Sequence, residues 1–357
     1  MKMQMFFYNS QKLQIKPVKL ISNNIYTNTN TNINTNTNTN INTNTNINTN
    51  TNTNINTNII NFSLNHIDFS SNFNFNNNLL NSSSLSIINY LIDKEQYIIN
   101  IRFVNYKLNN IGYSNIGNKN TLSVNIIYIL DKNFNILKNV YLKSIPSYSK
   151  YQGIEDIRLF NHNNIIYYIG SYYDTHDNKI KIVSDQFNII DEKYNIKIIN
   201  PTFKTYFKWE KNWVFFESNN EMYIIYKWSP IFICKINYDK NELYLIREIT
   251  NIPLIFNNFR GSTNGINYNN NIWFIVHQQL KLNNRNSYVH NFVVFDKNMN
   301  LLGYSNNFKF EDKIVEYCIG INITYDNNFV ITYSTLDSTS KLVVFSPKYI
   351  DSLINYI

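Results

Sequence analysis

The chain of 357 residues lacks several features that mark particular protein classes. It has two cysteines, Cys234 and Cys318, which suggest neither a disulfide framework nor a metal-binding spacing. No segment approaches the ~18 consecutive apolar residues of a membrane span, and residues 1–20 lack the apolar stretch of a signal peptide. We therefore expect a soluble protein in a reducing compartment, taken to be the cytoplasm, with no membrane partner and no metal.

Alanine is absent, and glycine occurs 8 times. Both residues need GC-rich codons, so the abundant Asn, Ile, Tyr and Lys reflect codon bias more than function. The net charge of +8 comes from scattered lysines, which is typical of a solvated surface. An anionic partner is the alternative, but the basic residues form no stripe, so we do not expect nucleic-acid binding.

The N-terminal quarter of the chain is of low complexity. Residues 27–58 alternate Thr or Ile with Asn, and an Asn- and Ser-rich stretch continues to about residue 86. The strict alternation could indicate a strand, but Asn and Thr offer no apolar face for a core. We therefore predict a mostly disordered tail over residues 1–86 that folding does not need, and a single folded domain over residues 87–357.

The rest of the chain has an all-β signature with a repeat. Short aromatic and β-branched runs such as "NIIYYIGSYYD" and "NFVITYST" are separated by Asn-rich turns. An apolar residue followed by Asp and a polar turn recurs at Asp131, Asp185, Asp239 and Asp296, spaced 54, 54 and 57 residues apart. About four strands per repeat is typical of a propeller blade, whereas a β-sandwich would not explain the recurring hairpin. We predict a five-bladed β-propeller in which these aspartates bond turn amides.

A few polar residues interrupt apolar strands, namely Arg102, Lys227, His277 and Asp337. A buried charge costs several kcal/mol unless it is paired, so such residues should line a wet cavity or contact one another. For each one alone, a satisfied contact between blades is the competing explanation. Their recurrence in several repeats favours a shared central cavity.

Three polar clusters lie between strands: "GIEDIR" (153–158), "KWEKNWVFF" (208–216) and "FRGSTNG" (259–265). Gly153, Gly261 and Gly265 lie in two of them, which suggests backbone geometry that other residues do not supply. Carboxylates, arginines and aromatic rings together suit a sugar site with acid–base chemistry. A salt-bridged surface turn is the competing interpretation of "GIEDIR".

The order of these motifs resembles glycoside hydrolase family 130, the five-bladed β-mannoside phosphorylases and mannosidases, and related β-mannosyltransferase/phosphorylases. "GIEDIR" is similar to that family's G-x-E-D-P-R, with Ile157 in place of proline. The segments "EKNWVFFESNNEMYIIYKWSP", "RGSTNG…WFIVHQQ…YVHNFVVFD" and "IVEYCIGINITYDNNFVITYSTLDS" are similar to later family segments. The likeness extends from about residue 97 to residue 345.

The resemblance implies a carbohydrate-active enzyme that acts on mannosides or related glycosides by phosphorolysis, glycosyl transfer or inverting hydrolysis. Asp156 is expected to be the general acid, and Glu316 could act as a base for water. The expected sugar-binding residues are Arg102, Asn105, Glu155, Arg158, Lys211 and Asp337, and the expected phosphate- or acceptor-binding residues are Arg260, His277 and Tyr288.

No cofactor is expected, although inorganic phosphate, a sugar phosphate or a nucleotide sugar could be a co-substrate. The alternative function is a non-catalytic propeller that binds glycans or proteins. The enzyme hypothesis requires Asp156, Arg260 and His277 to converge on one pocket, whereas the binding hypothesis would leave them scattered or the channel closed.

Overall fold

The computed structural model describes part of the chain. The described residues are 27–33, 55–61, 66–90, 95–108, 113–115, 120–142, 151–205, 207, 209–282 and 285–357. The prediction of disorder for residues 1–26, 34–54 and 62–65 lies outside them.

Strands account for most of the described residues. In chain order they are β1 (Thr27–Ile33), β2 (Ile55–Asn61), β3 (Ile67–Asp68), β4 (Asn72–Phe75), β5 (Asn78–Tyr90), β6 (Gln96–Val104), β7 (Tyr106–Leu108), β8 (Tyr113–Asn115), β9 (Thr121–Asp131), β10 (Ile136–Tyr141), β11 (Tyr151–Gln152), β12 (Ile154–His162), β13 (Ile165–Asp174), β14 (Lys179–Gln186), β15 (Ile198–Pro201), β16 (Val214–Ser218), β17 (Glu221–Trp228), β18 (Ile231–Asn237), β19 (Glu242–Ile249), β20 (Arg260–Gly261), β21 (Ile266–Tyr268), β22 (Asn271–Leu282), β23 (Arg285–Phe295), β24 (Leu301–Ser305), β25 (Phe308–Lys309), β26 (Glu316–Ile323), β27 (Phe329–Thr335), β28 (Lys341–Phe345) and β29 (Ile354–Tyr356).

Helices are few in this part of the chain. Two 3₁₀ turns span Ile189–Asp191 and Leu254–Asn258, and one α-helix, α1, spans Pro347–Ser352. No helix among the described residues is long and apolar enough to cross a membrane. The all-β prediction is confirmed.

The strands pair into antiparallel four-stranded units, which we call blades. From the innermost to the outermost strand, they are β5-β6-β9-β10, β12-β13-β14-β15, β16-β17-β18-β19, β21-β22-β23-β24 and β26-β27-β28-β3. The first strand of each blade contacts the first strands of its neighbours, and β5 contacts both β12 and β26. This ring of radial blades is the β-propeller predicted from the sequence.

The hydrophobic core is divided into clusters that lie between neighbouring blades. In the third blade, Phe215 packs toward the second blade, whereas Val214 and Phe216 pack toward the fourth. Successive residues of a strand point to opposite faces, and here both faces are covered. This is why the strands read as nearly continuous apolar runs rather than as an alternation of apolar and polar residues.

An early segment of the chain closes the ring. Strand β3 is the outermost strand of the fifth blade, with Ile67 opposite Leu342 and Asp68 opposite Lys341. The Phe69 amide donates to the Ser340 carbonyl at 2.8 Å, and the Phe69 ring is buried. The last blade therefore takes one strand from a segment that we predicted to lie in the tail.

The predicted domain boundary at residue 86 is also wrong, because residues before it belong to the first blade. Strand β5 is the innermost strand of the first blade, and its residues from Leu80 to Ile88 are buried. Leu85 and Ile87 face the core, while the serines and asparagine between the apolar residues suggested a loop. In the described part of the repeat, Thr27–Ile33 forms a strand that pairs with Ile55–Asn61, and the latter pairs with β25.

The recurring aspartates all lie where the third strand of a blade meets the fourth, at the end of β9, in β14, after β18 and after β23. Asp131 and Asp296 bond the turn identically, accepting from the amides two and four residues on and from the asparagine side chain four residues on. Asp185 instead accepts from Asn195 and Lys197. After β18, the side chain of Asn237 rather than Asp239 accepts the turn amides. The predicted positions hold in four blades, and the predicted bonding holds in two.

Candidate active site

The site begins with an irregularity in the innermost strand of the first blade. The pairing of β5 with β6 shifts between Ser82 and Leu85, so that Ser83 and Ser84 both lie opposite Arg102. Such a bulge re-aims side chains that would otherwise alternate between faces. Both serine hydroxyls reach carboxylates of the site, which an unbroken strand would not allow.

Arg102 is buried at the centre of a polar cluster. Its Nε donates to the Ser123 Oγ at 3.0 Å, and one terminal nitrogen donates to the Tyr106 hydroxyl at 3.1 Å. Its terminal nitrogens also pair with Asp156 and Glu155, each at 2.9 Å. A buried arginine is tolerated when its donors are matched in this way, and its position is then fixed.

A second bulge presents Asp156. The pairing of β12 with β13 shifts between Glu155 and Arg158, and Asp156 adopts a left-handed backbone with φ of 53°. Gly170 lies opposite, where an added Cβ would come within 2.5 Å of the Ile154 side chain. A non-glycine residue in this conformation is uncommon and often marks a functional constraint. The motif that suggested chemistry in the sequence is therefore locally strained.

The environment of Asp156 favours its ionised form. Burial by itself raises the pKa of this carboxyl, but the positive charges of Arg102, Arg158 and Lys211 and a hydrogen bond from Ser84 outweigh burial. The net effect lowers the pKa below its usual value. The side chain is 19% exposed, so the carboxylate remains accessible. Lys211 belongs to the same cluster, because its Nζ is 4.0 Å from the Glu155 carboxylate.

Asp337 enters the cluster from the turn after β27. Leu336 and Asp337 both have a left-handed backbone, with φ of 53° and 49°. The Ser83 hydroxyl lies 3.5 Å from the Asp337 carboxylate, and Asp337 makes no ion pair within 4.0 Å to any described residue. Burial raises the pKa of Asp337 to about 6, with Asp156 and Glu155 adding to the rise and Arg102 opposing it.

Arg158 connects this cluster to the fourth and fifth blades. It donates to the backbone carbonyls of Ser262 at 2.5 Å and Asp156 at 3.0 Å, and to the Tyr317 hydroxyl at 3.0 Å. Its guanidinium is buried and faces the "RGST" turn rather than open space. Arg158 therefore positions the bulge that holds Asp156, and is less suited to direct sugar contact than the sequence suggested.

The predicted acceptor residues form an adjoining group. Arg260 pairs across the sheet with His277, and the His277 ring packs against Tyr288 and Tyr317 at 5.7 and 5.4 Å between ring centres. Arg260 is exposed and donates to the Gln279 side chain at 2.8 Å. Because Tyr317 also contacts Arg158, the two groups form one continuous site.

His277 does not supply a positive charge to this site. The ring is buried, and its Nδ1 lies 2.9 Å from the Ser262 hydroxyl. Burial, with His290, Arg260 and Arg158 nearby, lowers the pKa of His277 well below its usual value. A neutral histidine can orient a hydroxyl, but a phosphate in this place would depend on Arg260.

Two predicted site residues have structural roles instead. The Asn105 amide spans a turn, donating to the Asn120 carbonyl and accepting from the Leu122 amide, each at 2.8 Å. Glu316, considered as a base for water, is fully buried. Its carboxylate accepts backbone amides of Phe310 and Lys313 at 2.5 and 2.7 Å, and of Glu311 at 2.9 Å. It fixes the loop before β26 and has no access to solvent.

Sequence reasoning missed other members of the site. They are Ser83, Ser84, Tyr106, Ser123 and Tyr317. The two β5 serines were assigned to the tail, although the apolar residues around "NSSSLS" are spaced as in a strand. Tyr317 follows Glu316 directly, so the sequence indicated the correct segment but the neighbouring residue.

Gly153 gives a test of how tightly the site is built. Its φ is 87°, and an added Cβ would lie 2.1 Å from the Ser123 carbonyl oxygen. Gly153→Ala should therefore lower the free energy of unfolding by roughly 2–4 kcal/mol, measured by chemical denaturation. Asn270→Ala, at an exposed turn with φ of 62°, is the control for backbone strain alone and should cost about 1 kcal/mol or less. Equal costs for the two variants would contradict the close approach to Ser123.

Within the described ranges, no group of three His, Cys, Asp or Glu residues is placed to hold a metal ion. The polar groups of the site are its carboxylates, arginines and hydroxyls. Their arrangement allows hydrogen bonding to a polyhydroxylated ligand and proton transfer by Asp156 and Asp337.

The similarities to known proteins are similarities of structure and not of sequence. No protein-family model and no curated protein matches the sequence. A putative glycoside hydrolase from Parabacteroides distasonis is similar, with 10% identity over 77% of this chain and 92% of that one and a TM-score of 0.51. A family-43 β-xylosidase/α-arabinofuranosidase from a compost microbial metagenome has 10% identity over 74% and 90% of the two chains and a TM-score of 0.50.

A GDP-mannose-dependent mannosyltransferase from Leishmania mexicana is also similar, with 12% identity over 75% of this chain and 86% of that chain and a TM-score of 0.45. At such identities, likeness shows a shared architecture and not a shared reaction. The chain is a β-propeller, similar in fold to the two proteins with TM-scores of 0.51 and 0.50.

Proposed function

We propose that this protein is a carbohydrate-active enzyme whose reaction takes place at the Arg102–Asp156–Asp337 cluster. The observation that carries the proposal is the pair of aspartates beside one buried arginine. The pKa of Asp156 is lowered, and that of Asp337 is raised to about 6. Carboxylates whose pKa values are driven apart are typical of acid–base sites, including those of glycosidases.

The surroundings of the two aspartates support a sugar ligand. The Glu155 and Asp156 carboxylates can accept hydrogen bonds from sugar hydroxyls, and Lys211 and Arg260 can donate hydrogen bonds to the sugar oxygens. The rings of Tyr288 and Tyr317 offer apolar faces next to these polar groups. This mixture of a few fixed charges and aromatic surface suits a pyranose better than a purely apolar ligand.

The comparisons and the sequence motifs support the same class. The similar structures with TM-scores of 0.50 and 0.51 are, by their names, a xylosidase/arabinofuranosidase and a putative glycoside hydrolase. The resemblance of "GIEDIR" and the later segments to glycoside hydrolase family 130, together with five four-stranded blades, favours mannosides as the substrates. Because burial and the nearby His290, Arg260 and Arg158 lower the pKa of His277, we favour hydrolysis or transfer to a sugar hydroxyl over phosphorolysis.

The test is a substrate panel with the purified full-length chain. Mannobioses, mannose-1-phosphate, GDP-mannose, xylo-oligosaccharides and arabino-oligosaccharides are incubated with the protein, and products are separated by chromatography. We expect turnover of at least one mannoside, with phosphate giving no acceleration. Sugar binding without turnover, seen by calorimetry, would favour the non-catalytic glycan-binding alternative, and neither binding nor turnover would refute the carbohydrate assignment.

A further inference from the structure

The two aspartates differ in the ion pairs and hydrogen bonds that they receive. Asp156 has an ion pair with Arg102 at 2.9 Å and a hydrogen bond from Ser84 at 3.2 Å. Asp337 has a single contact of 3.5 Å from Ser83 and no ion pair with any described residue. The bulge in β5 therefore brings one serine hydroxyl to each carboxylate, but only Asp156 also has an ion pair.

The donors of Arg102 explain the difference. An arginine has five N–H groups. Those of Arg102 serve Ser123, Tyr106, Glu155 and Asp156, which leaves at most one for any other group. The positive charge of Arg102 is near enough to lower the pKa of Asp337, but the two groups form no ion pair. A buried carboxylate without an ion-pair partner, next to two other carboxylates, is favoured in its neutral form.

We propose that Asp337 is the proton donor of the reaction and that Asp156 remains ionised and accepts the proton of the attacking hydroxyl. This assignment rests on the proposed function, and it reverses the role that the family resemblance gives to Asp156. Both residues also have a left-handed backbone, an uncommon conformation for a non-glycine residue that is found most often at functional sites.

The proton and electron balance is that of an inverting transfer. The Asp337 carboxyl gives its proton to the glycosidic oxygen as the bond from that oxygen to the anomeric carbon breaks and its electron pair moves to the oxygen. Water or a sugar hydroxyl attacks the anomeric carbon, and its proton passes to the Asp156 carboxylate. Exchange with solvent then returns a proton to Asp337 and removes the proton from Asp156.

The pH dependence follows from the groups around each aspartate. Those around Asp337 are Arg102, Asp156, Glu155, Tyr106 and Tyr288. Those around Asp156 also include Arg158 and Lys211. With a pKa of about 6, Asp337 carries its proton below that pH, so the rate should fall as pH rises through 6. Asp156 must lose its proton, so the rate should also fall at acidic pH, below the ordinary carboxyl range.

Removal of single hydroxyls separates the two limbs of this pH profile. The Ser83 hydrogen bond lowers the pKa of Asp337, so Ser83→Ala should shift the alkaline limb of kcat/KM to higher pH. The Ser84 hydrogen bond lowers the pKa of Asp156, so Ser84→Ala should shift the acidic limb to higher pH. Each variant is the control for the other, since they remove the same atom from adjacent positions. If both variants moved the same limb, the assignment would be overturned.

Leaving-group dependence identifies the donor. A glycoside with a dinitrophenolate leaving group does not need protonation, so Asp337→Asn should retain turnover within about tenfold of wild type on it. On the natural glycoside the same variant should lose about a hundredfold to ten-thousandfold. Asp156→Asn should be slow on both substrates. If Asp156→Asn were the variant rescued by the activated glycoside, the roles would be reversed.

A measurement without turnover separates this proposal from the proposed function. In wild-type protein with carbon-13-labelled aspartate carboxyls, one resonance should titrate near pH 6, and it should be missing in Asp337→Asn but present in Asp239→Asn. Should no glycoside be turned over while this resonance is found, the proton assignment survives and the reaction class is wrong. An Asp337 resonance that titrates near the ordinary value of 3.8 would refute the proposal itself.

Discussion

Replacing Asp156 with asparagine should reduce turnover by about a hundredfold to ten-thousandfold while sugar binding is largely retained. Asparagine has the same size and tolerates the left-handed backbone found at this position. Its side-chain oxygen can still accept hydrogen bonds from Ser84 and Arg102, so the cluster should keep its shape. It can neither give nor take the proton, and the loss is therefore expected whichever direction the proton moves.

The measurements are kcat and KM on the substrate found in the panel, sugar affinity by calorimetry, and thermal unfolding. Asp239→Asn is the matched control, because Asp239 is exposed in an outer turn far along its blade from the innermost strand, and its turnover should be unchanged. An Asp156→Asn protein that is as active as wild type would remove Asp156 from the mechanism. Residues 153–158 would then be a structural turn only.

A chain that begins at residue 87 should fail to fold, whereas a chain that begins at residue 55 should fold. The truncation to residue 87 removes β3, the outermost strand of the fifth blade, and residues 78–86 of β5, the innermost strand of the first. It also removes Phe69 and Leu85 from the core between these two blades. Burying a large apolar side chain contributes roughly 1.5–3 kcal/mol, and several are lost together with two strand pairings.

Soluble yield and cooperative thermal unfolding measure the outcome. The chain from residue 55 is the control, because it loses β1 but keeps β2, which pairs with β25 through Ile60 and Asn61. Its melting temperature should stay within a few degrees of the full chain. If the chain from residue 87 melted cooperatively at a similar temperature, the closing strand would be dispensable, as the sequence alone suggested.

The sequence was informative wherever local chemistry decides the structure. Continuous aromatic and β-branched runs are found as strands because both faces of each blade are covered. Asp131 and Asp296 bond their turns as predicted because an asparagine follows four residues later in each, "DKNFN" and "DKNMN". Asp185 and Asp239 have Ile and Leu at that position, which explains why their turns are held by other side chains.

The sequence misled where a contact joins distant segments. The serines of β5 looked like loop residues, because only the folded ring shows that they face carboxylates from the second and fifth blades. Glu316 looked accessible, because nothing in the sequence shows that a loop before it folds back and covers its carboxylate. The sequence indicated Arg102 because a lone arginine in an apolar strand needs a partner wherever that partner lies in the chain, and its ion-pair partners are Glu155 and Asp156.

The closure of the ring by the fifth blade also determines when the site can assemble during synthesis. Ser83 precedes Asp337 by 254 positions. At translation rates of about 5–20 residues per second, the first half of the site waits roughly 10–50 s for the second. Throughout that interval the first-blade surface around Leu85 lacks the fifth-blade residues, such as Val330, that later cover it. Contacts of such long sequence separation form slowly, so the site is completed only when nearly the whole chain has left the ribosome.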